Sequence, residues 1–133
     1  MKVVASLVSL AVLLSACAEP EARVEARSPA ARLASAEVAS QVRRCYRSPR
    51  IPSVGKRIVT RLLVRYGADG RLVGLPILVG QEGVTPESQP YAGRMTEAAK
   101  LAVVRCSPIR LPAAMGKRRA IVFFLTFSPQ MRA

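Results

Sequence analysis

The sequence predicts an α+β fold, a small three-stranded antiparallel sheet with helices packed on one face. Two observations indicate strands: residues 57–66 and 119–127 alternate between two faces, and a glycine-bearing turn at 67–70 starts a third extended segment. A third observation is that two longer segments have apolar residues at helical spacing. The expected order is helix, strand, turn, strand, loop, helix, loop, strand.

The first 17 residues have the pattern of an export signal. Lys2 precedes an apolar run of about 12 residues, Val3 to Leu14, whereas a membrane-spanning helix needs about 20. Its end, Leu14-Ser15-Ala16-Cys17, resembles a bacterial lipobox. That resemblance implies that Cys17 becomes the first mature residue and carries covalent lipid. The alternative is an ordinary secretory signal cleaved at the same place, which would leave a free thiol.

The segment after Cys17 has the composition of a flexible tether. Residues 18–30 are mainly Ala, Glu, Arg and Pro, with few large apolar side chains. We therefore expect a signal peptide at 1–16, a lipidated cysteine and tether at 17–30, and a folded domain at 31–133. The signal directs the protein out of the cytoplasm. Because Cys17 is followed by Ala18 and Glu19 rather than Asp, similarity to enteric lipoproteins implies the outer membrane of a Gram-negative bacterium, on its periplasmic side.

The first half of the domain predicts one helix and two strands. Ser28 or Ser35 can cap a helix that carries Leu33, Val38, Val42, Cys45 and Tyr46 and ends before Pro49. Residues 57–66 predict the first strand, and residues 71–79 return as the second. Pro76 cannot donate a hydrogen bond to a ladder, so the second strand should lie at an edge, which gives the sheet order 2-1-3.

The second half predicts a loop, a helix and a strand. Residues 80–90 contain two Gly and two Pro and favour a loop. Residues 91–105 predict a helix whose buried face consists mainly of small residues: Met95, Ala98, Ala99, Ala102 and Val103. The third strand, 119–127, is apolar on both faces.

The composition argues against an enzyme. The chain has 133 residues, 21 Lys+Arg, 8 Asp+Glu and no His, a formal charge of +13. No catalytic dyad or metal-ligand cluster has an informative spacing, so we expect no cofactor beyond lipid on Cys17. The charge would suit nucleic acid, but outside the cytoplasm the available anions are lipid head groups, lipopolysaccharide, peptidoglycan and acidic proteins. We therefore expect no nucleic-acid partner.

Two cysteines remain after Cys17. Cys45 and Cys106 each end a predicted helix, and in an exported chain they most economically form one disulfide. Two separate buried thiols are the alternative. A redox-active pair is the least favoured reading, since the cysteines lie far apart in sequence.

Basic residues fall into three groups, one of which points to a binding surface. If strands 1 and 3 pair, Arg57, Arg61 and Arg65 share a face with Val122 and Phe124, a combination of charge and apolar surface that suits a protein partner. Edge strands can also accept an extended peptide. The competing interpretation is that these arginines only solubilise the sheet. The other two groups are Arg43, Arg44, Arg47 and Arg50, and Lys117, Arg118 and Arg119.

Several motifs together resemble the C-terminal domain of the TolA/TonB envelope-protein superfamily, in its alphaproteobacterial TolA-like form. The similarity covers about residues 36–130 and is carried by Val42-Arg43-Arg44-Cys45-Tyr46 with Pro49, by Leu62-Leu63-Val64-Arg65-Tyr66-Gly67-Ala68-Asp69-Gly70-Arg71-Leu72, by Ala98-Ala99 and Val104-Arg105-Cys106-Ser107-Pro108, and by Leu111-Pro112 and Phe127-Ser128-Pro129. The resemblance implies a small α+β module that binds periplasmic proteins partly by strand addition.

The sequence also departs from TolA and TonB. Those proteins have an inner-membrane helix and a long stalk, which a lipobox and a short tether replace here. The expected role is therefore an adaptor, or a competitor for a transducer's partners, with an envelope protein of the Tol-Pal or TonB-dependent systems as partner and the lipid anchor as membrane contact. The alternative is a basic binder of lipopolysaccharide or peptidoglycan that acts through all three basic groups.

Overall fold

The computed structural model describes residues 28–115 and 120–131. It contains five main elements, which we label in chain order: α1 (Pro29–Cys45), β1 (Val59–Gly67), β2 (Ile77–Glu82), α2 (Gln89–Cys106) and β3 (Ala120–Phe127). Short 3-10 turns at Ser53–Gly55 and Ala113–Met115 precede β1 and β3. The strands form one antiparallel sheet in the order β2-β1-β3, so the predicted fold class and strand order are confirmed.

Helix α1 begins at Pro29 because Ser28 caps it. The Ser28 side-chain oxygen accepts a hydrogen bond from the Ala31 N–H at 3.1 Å, which decides between the two expected caps. The helix thus starts two residues before the boundary expected at residue 31. Leu33 lies on the exposed side of the helix. The buried face consists of Ala31, Ala34, Val38 and Val42.

Strand β2 begins six residues later than expected and ends three residues later. A tight turn closes after β1, where Gly70 has a φ of +78° and its N–H donates to the Gly67 carbonyl. Leu72 makes one isolated bridge to Tyr66 and then leaves the ladder, its N–H donating to the Ser107 hydroxyl. Regular pairing resumes at Ile77, after Pro76, which lacks an N–H to donate. The prediction of a strand over 71–79 was therefore wrong for its first six residues.

The expected loop at 80–90 is shorter in the structure. Residues 80–82 complete β2, and α2 already begins at Gln89. Four residues of the predicted small-residue face of α2 are buried, Met95, Ala99, Ala102 and Val103, whereas Ala98 is only partly buried. Ala92 and Thr96 extend the buried face by one turn.

The core lies between the helices and one face of the sheet. Two tilted aromatic pairs connect its parts, Tyr46 with Phe127 and Tyr66 with Phe123. The Cys45–Cys106 disulfide joins the C-terminal ends of α1 and α2 and confirms the expected pairing.

No helix in the described part of the chain is long and apolar enough to cross a membrane.

Candidate partner-binding surface

Only one face of the sheet is covered by helices. Along β3, Phe123 is 3% exposed whereas its neighbour Phe124 is 51% exposed and Val122 is 46% exposed. The same alternation holds through the whole strand, because successive strand residues point to opposite faces. We call the uncovered side the outer face.

An apolar row crosses the outer face from one edge of the sheet to the other. Leu63 on β1 lies directly opposite Ile77 on β2 and opposite Phe124 on β3. Leu63 is half-buried, while Ile77 and Phe124 are more than half exposed. Three large apolar side chains in adjacent strands therefore form one continuous strip, which no described element covers.

Two predicted arginines flank this row. Arg65 lies opposite Val122, and Arg61 lies opposite Thr126. The guanidinium carbon of Arg61 is 4.9 Å from the ring centroid of Phe124, a cation–π contact. Arg61 thus reaches from β1 to the Phe124 ring on β3, and its charge lies over the apolar row.

The structure places four of the five expected binding residues on the outer face. Arg61, Arg65, Val122 and Phe124 come together there. Arg57 is exposed but precedes β1, which begins at Val59, so it lies outside the ladder. Leu63 and Ile77 were not among the residues predicted to bind a partner. Leu63 was recognisable from the alternation in β1, but Ile77 depends on a register that the sequence did not show.

The outer face has a small net positive charge, from Arg61 and Arg65 on β1 against Glu82 on β2. Glu82 is the acidic residue of the three strands, and it lies opposite Val59, at the end of β1 away from Arg65. Arg61 and Arg65 have no ion-pair partner among the described residues. The Arg71–Asp69 ion pair, with N and O atoms 3.7 Å apart, lies in the turn after β1.

The two edges of the sheet differ. β2 is short and follows Pro76, and its register with β1 shifts between Arg61 and Leu62. Such a bulge twists an edge and makes it a poorer template for another strand. β3 pairs with β1 in unbroken register from Ala120 to Phe127. Its outer edge therefore presents a regular row of backbone groups beside Phe124.

A separate open cleft of about 820 Å³ lies beside the chain that follows α1. Its lining includes the basic residues Arg50 and Lys56 and the apolar residues Ile51 and Met131. Ser48 helps to close it, since its hydroxyl donates to the Pro129 carbonyl at 2.6 Å. This cleft was not predicted from the sequence, because the residues of its two walls are about 80 positions apart in the chain.

Several expected features lie outside the described residues. These are the signal peptide, Cys17 with most of its tether, and the basic group at 117–119. In the ranges that are described, no three His, Cys, Asp or Glu side chains come close enough to hold a metal ion.

Comparison with known proteins gives no relative: no protein-family model, curated protein or solved structure matches the chain. The resemblance to TolA/TonB domains therefore depends on the sequence motifs and stays a prediction.

Proposed function

We propose that this protein is a lipid-anchored interaction module of the cell envelope, of the TolA/TonB C-terminal type, and that it binds a partner protein through β3 and the outer face. The observation that carries the proposal is the uncovered row of Ile77, Leu63 and Phe124 beside the regular edge of β3. A contiguous exposed apolar strip with arginines around it is typical of protein-binding surfaces.

The mode of binding that fits this surface is strand addition. An extended segment of the partner pairs with the free edge of β3 through backbone hydrogen bonds, and every second side chain then lies on the outer face. The segment next to Phe124 thereby widens the apolar row by one strand. The unbroken register of β3 supports this mode there more than at β2.

Lipid on Cys17 would keep this surface near the membrane. Ten residues separate Cys17 from Ser28, and a fully extended chain gains about 3.3–3.6 Å per residue, so the anchor lies within about 40 Å of the start of α1. The proposed location is the periplasmic side of the outer membrane, and the proposed partner is an envelope protein of the Tol-Pal or TonB-dependent systems. A role as adaptor or competitor follows from the short tether.

Capture of the partner from crosslinked envelope tests the proposal. The full chain, solubilised in detergent, is compared with Val122→Ser/Phe124→Ser and with the control Leu101→Ser/Val104→Ser. The control residues are 45% and 46% exposed on α2, close to the 46% and 51% of the tested pair. We expect a discrete protein that survives a high-salt wash, is lost with the β3 variant and is retained with the α2 variant. Equal capture by both variants would contradict the proposal.

A second candidate function is favoured by the cleft that Arg50 and Lys56 line. Two cations beside apolar walls suit an anionic envelope ligand such as a lipopolysaccharide phosphate or a peptidoglycan carboxylate. In that case Arg50→Gln/Lys56→Gln should abolish retention of purified lipopolysaccharide or peptidoglycan, with a steep dependence on salt. Phe124→Ser should then have no effect, which separates the two candidates.

A further inference from the structure

We propose that the segment that binds β3 carries two acidic residues four positions apart, with an apolar residue midway between them, all facing the outer side of the sheet. The proposal rests on the proposed function and names the chemistry of the partner. It assigns Arg61 and Arg65 as the residues that determine specificity.

The rows of the sheet define the expected pattern. A strand added to β3 continues each cross-strand row by one residue. In the row of Ile77, Leu63 and Phe124, the residue of the added strand lies beside Phe124, where an apolar side chain packs best. The rows on either side contain Arg65 with Val122 and Arg61 with Thr126, so each calls for an acidic residue.

The spacing of the two arginines matches this pattern. Arg61 and Arg65 are four residues apart on β1 and lie on the same face, as strand residues an even number of positions apart do. Four residues span about 13 Å in a strand, which is also the separation of two acidic residues four positions apart in the added strand.

The arginines are positioned to reach an added strand. The guanidinium group of Arg61 already lies over Phe124, and the next strand would lie only about 4.8 Å beyond β3. Arg65 faces Val122, which is small enough to leave the path to the edge open. A glutamate side chain covers the remaining distance from the partner's side.

The charge of the face selects against other occupants. β1 and β3 contain no acidic residue, so an uncharged strand added beside β3 would leave Arg61 and Arg65 without an ion-pair partner. A second copy of this face would bring arginines against arginines, which costs binding energy. A strand with an apolar residue between two acidic residues packs against Phe124 and also pairs with Arg61 and Arg65.

Synthetic nonapeptides test the pattern on the full chain in detergent micelles, by fluorescence anisotropy. The first peptide has Glu at positions 3 and 7, Leu at position 5, and Val or Thr elsewhere. Two others replace both Glu with Gln or with Lys. A fourth has the same composition as the first but Glu at positions 3 and 4, which point to opposite faces of a strand.

We expect the first peptide to bind about tenfold more tightly than the Gln peptide, the effect of two partly exposed ion pairs. The Lys peptide should bind most weakly. The adjacent-Glu peptide should bind more weakly than the first, although both have the same net charge. In Arg61→Gln/Arg65→Gln the first peptide should lose its advantage over the Gln peptide.

A matched variant controls for general attraction to a basic protein. Arg44→Gln/Arg105→Gln removes the same charge from exposed positions on α1 and α2, and it should leave the preference intact. A copy of the first peptide with N-methyl groups on consecutive backbone nitrogens tests strand addition itself, because the methyl groups then block both of its edges and it cannot pair with β3. It should not bind.

The outcomes separate this inference from the proposed function. If all four peptides bind equally and N-methylation abolishes binding, the acidic pattern is overturned and strand addition stands. If the N-methylated peptide binds as well as its parent, or if no peptide binds, both proposals are overturned. If Arg61→Gln/Arg65→Gln and Arg44→Gln/Arg105→Gln both lose the preference for the first peptide over the Gln peptide, the preference comes from the overall positive charge of the protein. That result would overturn the assignment of Arg61 and Arg65.

Discussion

Both faces of the three-stranded sheet carry large apolar side chains, but those of one face are buried and those of the other are exposed to solvent. Phe123 and Phe124 are neighbours in β3, yet one is 3% exposed and the other 51% exposed. On β1, Leu62 is fully buried and Leu63 is only half-buried. The helices cover the inner face and leave the outer face open, so an aromatic residue stabilises the fold on one side and is available for binding on the other.

The largest difference between the faces should appear when each phenylalanine is truncated. Phe123→Ala should lower the free energy of unfolding by about 3–5 kcal/mol, because it leaves a cavity beside Tyr66. Phe124→Ala should lower it by less than about 1 kcal/mol, since half of the side chain is already exposed to water. Urea unfolding followed by circular dichroism measures both values. Equal losses would mean that the outer face is covered by something in the free protein.

The disulfide secures the helical layer that makes the faces different. The two cysteines are 61 residues apart in the sequence. In the chain-entropy model, closing a loop of that length destabilises the unfolded state by about 4 kcal/mol, and measured stabilisation is typically about 2–4 kcal/mol. Cys45→Ala/Cys106→Ala should therefore lower the free energy of unfolding by about 2–4 kcal/mol. At temperatures where this variant is folded, partner capture should be unchanged. Reduction of the native protein with dithiothreitol should give the same loss, and no loss on reduction would contradict the account.

A buried phenol makes the inner face sensitive to alkaline pH. Burial raises the pKa of Tyr66 from its usual value of 10.0 to about 12, and its hydroxyl has no hydrogen-bond partner among the described residues. The folded state then holds its proton between pH 10 and 12 while the unfolded state loses it. Stability should therefore be intact below pH 10 and fall by about 1.4 kcal/mol per pH unit above it.

Tyr66→Phe isolates this effect. The variant should lack that part of the alkaline decline, and at pH 7 its free energy of unfolding should not fall, because an unpaired buried hydroxyl contributes nothing that the ring does not. Urea titrations at pH 7, 10 and 11 provide the test. An alkaline decline in the variant that is as steep as in the native protein would show that the phenol is not the group responsible.

The smallest effects should come from the arginines of the outer face. Arg61→Gln should lower the free energy of unfolding by about 0.5–1 kcal/mol, because the contact with Phe124 is an exposed cation–π pair. Arg65→Gln should change it by less than about 0.5 kcal/mol, since Arg65 has no such aromatic contact in the described residues. Thermal unfolding of the two variants side by side gives the comparison. A loss above about 2 kcal/mol in either would assign these arginines to the fold rather than to binding.

Sequence alone predicts the fold where a pattern is local. Alternation in β1 and β3 shows which residues point inward, and Pro76 places β2 at an edge. Of the two expected caps Ser28 begins α1, and Cys45 ends it as predicted. The disulfide was predicted from the number of cysteines and the expected export signal, with two separate thiols as the alternative, and the structure shows it.

The register of β2 was not predictable in this way. Residues 71–76 have strand-like composition, but Leu72 bonds to Ser107 and Gly70 accepts a hydrogen bond from Ile109, both from the chain at the end of α2. These long-range contacts draw the segment out of the ladder and delay pairing until Ile77. The complete apolar row was therefore hidden, although its β1 and β3 members were visible. The cation–π contact of Arg61 with Phe124 depends instead on the register of β3 against β1.

Site-specific photo-crosslinking in living cells tests the central claim most directly. Benzoylphenylalanine is placed at position 124 on the outer face and, as control, at position 101 on α2, where the native side chain is exposed to a similar extent. We predict a discrete protein adduct from position 124 that disappears when Val122 is also changed to Ser, and no such adduct from position 101. An adduct from position 101 with none from position 124 would contradict the claim that the outer face beside β3 is the binding surface.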